Sequence, residues 1–249
     1  MVEDQLPEGS PITGRIDVHA HLIPGVDDGC EDVDQAVACA RAFVAAGYSD
    51  LCCTPHIWPS LPRNTMGNIV AWTAALQQEF DRRLIPVKLH PGGEINLTPK
   101  FLQTPSEAVV TYGGRRKFVI FDLWADRLPD HFEPSVRWFQ SLGLQPILAH
   151  PERMRAVQDD PALADYFAEI GVLLQGNLQC FGDPPGTDTR RTAERFLEEN
   201  RYFCLGSDCH GAATLPIRLE GLARATALAG EDAIRRLTVD NPRRLLADA

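Results

Sequence analysis

The chain has 249 residues, 44% of them hydrophobic and 23% charged, an ordinary globular balance that can fill a core and excludes a disordered chain. A formal net charge of -10 excludes a global attraction to nucleic acid or to an anionic membrane surface. No run approaches about 18 apolar residues, and the first residues carry Pro7, Gly9, Ser10 and Pro11 where a signal peptide needs an apolar core, so a cytoplasmic protein with no direct membrane insertion is expected.

After residues 1–14, read as a flexible N-terminal segment, short β-like runs alternate with amphipathic helical patterns to the end of the chain, the signature of βα units. The first strand is expected at 15–21 and is followed by a helix at 33–46. A second strand at 50–56 leads to a helix at 65–84, and a third strand at 87–95 is followed by a fourth at 117–124. A helix at 132–142, a strand at 145–150 and a helix at 162–170 come next. Strands at 172–177 and 202–208 flank a helix at 188–200, and helices at 216–229 and 231–247 complete the pattern. Gly47, Gly143 and Gly171 each stand between a helical run and a strand, where a helix C-terminus calls for a left-handed residue. No composition shift, repeat or low-complexity linker divides 15–249, which reads as one α/β domain. Seven parallel strands joined by helices form either an open sheet or a barrel, and periodicity does not separate the two.

Nearly every expected strand ends in a residue able to bind a metal. The first ends Asp17-Val18-His19-Ala20-His21, and a period of two points Asp17, His19 and His21 to one face. Asp17 is either a ligand or a carboxylate that orients a histidine. The later strands contribute His56, Glu94, Asp122, His150 (followed by Arg153) and Asp208 with His210. Parallel α/β folds gather strand C-termini at one face, so residues scattered in sequence form a cluster in space. Imidazole with carboxylate suits Zn, Mn or Fe, and a bridging carboxylate allows several ions to share the site. His90 and His131 lack this context and read as structural or exposed.

The seven cysteines are an odd number lying mostly in apolar runs, which points to reduced thiols. A thiol phosphatase needs Cys, five residues and Arg, and none of the seven has Arg at that spacing.

The stretch 16–29, reading Ile-Asp-Val-His-Ala-His-Leu-Ile-Pro-Gly-Val-Asp-Asp-Gly, resembles the PHP superfamily, named after polymerase and histidinol phosphatase domains. Within it, the chain is similar to the bacterial manganese-dependent tyrosine phosphatases of the CpsB/CapC type. Thr54-Pro55-His56, Gly93-Glu94-Ile95, Ala149-His150-Pro151-Glu152-Arg153, Gln175-Gly176-Asn177 and Asn241-Pro242 continue the resemblance over about 15–245. It implies a distorted (β/α)7 TIM-like barrel of the PHP type, a single phosphatase domain, and about two or three divalent transition-metal ions, Mn2+ foremost, with Fe or Zn also compatible. By the motifs, His19, His21, Glu94 and Asp208 would hold one ion, Glu94 with Asp122 and His150 a second, and Asp28, His56 and His210 a third. Two positions depart from the family pattern: Asp122 stands where a longer Glu is usual, and Leu215 where a phosphate-binding Arg is usual. Arg218, one turn on, and Arg153 are the candidate cationic catalytic residues.

The function implied is hydrolysis of protein phosphotyrosine, the partner being an autophosphorylating bacterial tyrosine kinase of capsule or exopolysaccharide synthesis. Hydrolysis of histidinol phosphate or another small phosphomonoester, a nuclease activity, carbon-nitrogen hydrolysis by a barrel amidohydrolase, and a non-catalytic metal- or phosphoprotein-binding module are the alternatives on the same fold. The acidic balance weighs against the nuclease.

Overall fold

A computed structural model describes residues 14–247; apart from Gly14, the N-terminal segment read as flexible lies outside the described residues. In chain order the elements are β1 (Arg15–Ala20), α1 (Val33–Ala45), β2 (Tyr48–Cys53), β3 (His56–Ile57), α2 (Met66–Arg82), β4 (Lys88–Pro91), β5 (Glu94–Asn96), β6 (Phe118–Asp122), α3 (Phe132–Ser141), β7 (Gln145–Ala149), α4 (Arg155–Asp159), α5 (Leu163–Glu169), β8 (Leu173–Asn177), α6 (Leu178–Gly182), α7 (Asp188–Glu198), β9 (Cys204–Gly206), α8 (Leu215–Ala229), α9 (Glu231–Arg235) and α10 (Asn241–Leu246). The expected helix boundaries hold to within a few residues. Gly47, Gly143 and Gly171 take φ of 83°, 75° and 79°, the left-handed turn their position requires. The short α4 and α6 carry too few residues for a periodic pattern, and the sequence did not signal them.

The seven expected strands become nine because two of them break. Pro55, which has no N–H to give a ladder, separates β2 from β3, and Gly92-Gly93 separates β4 from β5. A Cβ on Gly93 would lie 2.8 Å from side-chain atoms of Ile57 and Val110, so this approach admits no larger residue. The break moves each chain from one sheet to another. β1, β2 and β4 form a three-stranded parallel sheet, while β3, β5, β6, β7, β8 and β9 form a six-stranded one, also parallel.

The βα order expected of a TIM-like barrel is therefore present, but among the described residues the ladder is not one closed ring. The two sheets meet at a seam between β1 and the end of β9. There Ala20 bridges Cys209, His21 N donates to Cys209 O at 2.9 Å and Asp208 N donates to His19 O at 2.7 Å.

Alternation along the strands sorts the core. On β6, Val119 and Phe121 join a large apolar cluster with the helix residues Phe43, Phe80, Phe139 and Phe196, while Phe118 and Ile120 join a smaller one with Ile16, Val18 and Ile147. Asp122 continues the Phe118 and Ile120 register, which brings a carboxylate to the strand end on the side of the smaller cluster.

Two glycines set the approach of α8 to α6. A Cβ on Gly221 would fall 1.8 Å from the carbonyl oxygen of Leu178, and one on Gly182 would fall 2.7 Å from that of Ile217. Gly67, exposed in the first turn of α2, has nothing within 4 Å of such a Cβ. Gly221→Ala should therefore cost on the order of 2–4 kcal/mol, as overpacking against backbone does, whereas Gly67→Ala should gain up to about 1 kcal/mol of helix propensity. Urea unfolding of the two variants checks this, and equal midpoints would contradict the packing argument.

Candidate metal centre

β1 delivers His19 and His21 at its C-terminal end, and each ring is oriented by an acceptor at Nδ1. His19 Nδ1 lies 2.8 Å from Gln175 Oε1 and His21 Nδ1 lies 2.8 Å from Asp27 Oδ2. An amide oxygen and a carboxylate only accept, so Nδ1 carries a proton in both rings and Nε2 is the atom left to meet a cation. The two Nε2 atoms face each other at 3.3 Å. His210 follows the same pattern, with Nδ1 donating to the Asp208 carbonyl at 2.9 Å.

Glu94 is the centre onto which these rings converge. The shifted β3 and β5 place His56 opposite Glu94 in register. Glu94 is 0% exposed, with Oε2 at 2.8 Å from His56 Nδ1, 3.3 Å from His19 Nε2 and 3.5 Å from His21 Nε2, and Oε1 at 2.9 Å from His150 Nε2. Asp208 Oδ1 lies 3.5 Å from His19 Nε2 and 3.4 Å from His21 Nε2. On the open side, the exposed Asp28 reaches His56 Nε2 at 3.3 Å and His210 Nε2 at 3.5 Å.

Burial opposes charging these groups; at His210 it prevails and lowers the imidazole, whereas at His19, His21, Glu94 and Asp208 the mutual attraction wins. Burial alone would lower His19, yet the charges of Glu94 and Asp208 raise it from 6.5 to about 9. His21 is likewise driven well up against its burial by hydrogen bonds to Asp208 and Asp27. Glu94 and Asp208 are held well below the usual carboxylate range by the surrounding histidines, although burial works the other way.

Eight of the residues expected at a site are thus gathered at one face: His19, His21, Asp28, His56, Glu94, His150, Asp208 and His210. Asp122 borders the group, but its oxygens accept from Asn96 Nδ2 at 3.0 Å and from Trp124 Nε1. Asp17 is turned to the backbone N–H and hydroxyl of Ser207, and burial pushes it up to about 6. His90 pairs with buried Asp50 and His131 faces the Leu97 carbonyl, as structural histidines do.

The two arginines part company. Arg153 stands at the rim, with Nη1 at 2.9 Å from Asp208 Oδ2 and its side chain 39% exposed. Arg218 is only 4% exposed and is occupied by backbone: Nε donates to the carbonyls of Ser207 and Asp208, Nη2 to that of Asp208 and Nη1 to that of Thr214. It braces the turn behind Asp208, which has a left-handed φ of 52°; His150, with φ of 34°, is the other site residue in that region. Sequence reading passed over Asp27, which differs from Asp28 only in which way its loop turns it. It quoted Gln175 and Asn177 as part of a motif but gave them no role; Gln175 orients His19, and Asn177 Nδ2 donates to Asp208 at 2.9 Å.

The donor set fits divalent cations. Donor atoms of His21, Asp28, His56 and His210 all lie within 4.8 Å of one another, as do those of His19, His21 and Glu94. His56 Nδ1 and Glu94 Oε2 are buried without an aligned hydrogen bond although adjacent, which is the condition of ligand atoms whose lone pairs share a cation.

A family model for capsular polysaccharide synthesis proteins, CpsB/CapC, matches residues 15–247. The chain is 26% identical over 199 residues to the tyrosine-protein phosphatase YwqE of Bacillus subtilis, covering 80% of this chain and 78% of the relative. It is 22% identical over 241 residues to the tyrosine-protein phosphatase CpsB of Streptococcus agalactiae, covering 93% and 98%. Among solved structures, a chain from the work on YwqE of Bacillus subtilis and CpsB of Streptococcus pneumoniae, described as unique metal-dependent tyrosine phosphatases, superposes with a TM-score of 0.85 at 24% identity, covering 94% of this chain and 95% of the other.

The charged cluster gives the metal-stripped protein a defined pH dependence. His19 is raised in the folded state, so its contribution is complete below about 6.5 and is lost as the pH rises through about 9. Asp17 and Asp122, both pushed up to about 6 by burial, complete most of their titration at the lower edge of that window and leave its upper part to the imidazole. Chelated protein should therefore lose thermal stability steadily between pH 6.5 and 9, read as Tm by calorimetry. A flat Tm over that range would show that His19 is not held charged.

Proposed function

Because this chain belongs to the CpsB/CapC family of capsular polysaccharide synthesis proteins, we propose that it is a metal-dependent protein-tyrosine phosphatase, the activity named for its relatives. The observation that carries this reading is the convergence of four histidines on the buried Glu94 carboxylate, beside Asp208 and under the rim arginine Arg153. His19, His21, Glu94 and Asp208 would hold one cation, Asp28, His56 and His210 a second, and Glu94 with His150 and Asp122 a third. Divalent cations in such a donor set lower the pKa of water and neutralise the charge of a phosphoryl group.

The protein's own groups do the rest. The orienting contacts of Gln175, Asp27 and the Asp208 carbonyl fix the proton on Nδ1 of three rings, so that no ring has to change tautomer to present Nε2. Arg153 is the cation available to a phosphate, since its planar fork suits two phosphoryl oxygens and its present partner is one oxygen of Asp208. Arg218 supports the turn instead. All seven cysteines are buried, and burial pushes the Cys53 thiol up to about 12 and Cys52 well up, which leaves no ready thiolate nucleophile. A tyrosyl leaving group, with a pKa of about 10, needs little help from a general acid.

We read residues 15–249 as one functional domain, manganese as the preferred cation and the cytoplasm as its location. The partner would be an autophosphorylating tyrosine kinase of polysaccharide synthesis.

The purified protein should carry about two or three divalent transition-metal ions per chain. Chelation should abolish hydrolysis of phosphotyrosine peptide, manganese should restore it best, and His150→Ala should lower metal content and turnover together. Elemental analysis alongside the assay decides, and full activity in demonstrably metal-free protein rejects the reading. Arg153→Lys should keep its metal and lose on the order of tenfold or more in kcat/KM, about 1.4 kcal/mol of transition-state binding. An unchanged kcat/KM would remove Arg153 from phosphate binding.

A further inference from the structure

Beside the cluster lies a cavity of about 480 Å3 whose walls include Trp124, Asp126, His150, Arg153, Arg155 and Asp183. His150 and Arg153 belong to the site already described, so this space continues directly from where a phosphoryl group would sit. Its other wall is Trp124, two residues beyond β6. Among the described residues the exposed large hydrophobics are Val70, Leu84, Leu102, Trp124 and Leu228, and Trp124 is the aromatic one, at 67% exposure. A bare indole in water forgoes the burial that large aromatic surfaces normally find.

This indole does not hang free. Its Nε1 is tied to Asp122, and the Arg153 guanidinium carbon lies 5.8 Å from the ring centre. One edge is anchored at the site while a large part of the ring surface stays in solvent, facing a space that ends at His150 and Arg153. A phosphate held at Arg153 would carry its ester substituent into that space, where an aryl group meets an aromatic wall and an alkyl chain meets the same wall with less contact area.

We propose that Trp124 is a specificity residue, the platform on which the aromatic ring of an aryl phosphomonoester stacks, and so selects aryl over alkyl phosphates. The proposal rests on the phosphatase reading for its biological sense but not for its test. An aromatic contact of this kind is worth roughly 0.5–1.5 kcal/mol, which corresponds to about a two- to tenfold preference.

The test uses non-hydrolysable probes on the metal-loaded full chain, namely phenylphosphonate and methylphosphonate, with Kd measured by titration calorimetry for wild type, Trp124→Phe, Trp124→Leu and Trp124→Ala. Wild type should prefer the phenyl probe about fivefold. Trp124→Phe should keep most of that preference, having a ring but no N–H, and Trp124→Leu and Trp124→Ala should bring the ratio of the two Kd values close to one. Metal content, measured on each variant, should not follow the ratio. A ratio unchanged in Trp124→Ala overturns the proposal, and so does an equal fall in Trp124→Phe, which would assign the effect to the bond with Asp122. Hydrolysis of p-nitrophenyl phosphate is read separately. A protein that shows the Trp124-dependent ratio but hydrolyses nothing keeps the platform and loses the phosphatase reading. An active phosphatase whose ratio ignores Trp124 loses the platform alone.

Discussion

A carboxylate with no contact with water has to be compensated by its neighbours, and Glu94 imposes that requirement on the whole upper face of the molecule. Four imidazoles from three different strands approach it within 3.5 Å. The backbone breaks that bring them there are chemical in origin. Pro55 ends one ladder, Gly92-Gly93 lets the next strand pass close to Ile57 and Val110, and the two offset strands then pair His56 with Glu94.

The groups gathered around Glu94 are themselves held from behind. Gln175, Asp27 and the Asp208 carbonyl each accept a hydrogen bond from an imidazole Nδ1, and Asn177 and Arg153 share an oxygen of Asp208. Two of the gathered residues, His150 and Asp208, sit in left-handed backbone that costs on the order of 1 kcal/mol or more for a residue with a Cβ. Such a conformation persists only where its surroundings over-determine it. For Asp208 the brace is visible in Arg218, whose buried guanidinium binds the carbonyl on either side of that backbone turn.

How much of this could be read from the sequence depended on whether a local rule governed the residue. A period of two placed His19 and His21 together, and the convergence of parallel strand ends placed His56, Glu94, His150 and Asp208 beside them. The positions of Asp27 and Asp28 obeyed no such rule. They are adjacent identical residues in a loop, and only the turn around Gly29 decides that Asp27 accepts from His21 while Asp28 faces His56 and His210. Arg218 was legible as a cation near the site but not in its direction, because a long side chain on α8 chooses between open cleft and buried carbonyls by tertiary contacts. Pattern gave seven parallel strands without choosing between open sheet and barrel; the TIM-like arrangement was implied by the family resemblance, and the interruptions at Pro55 and Gly92-Gly93 that divide the strands between two sheets carried no periodic signal.

The seam between those sheets ties residue 20 to residue 209, across most of the described chain. Contacts of such sequence separation carry a large loop-closure entropy and slow the folding of a chain that depends on them. Since the seam bonds run through His19, His21 and Asp208 themselves, the polar cluster is complete only when this seam is closed. The residues of the cluster therefore stand together only once strands made at the two ends of the chain have met, and the same contacts that close the fold also set the spacing of the site.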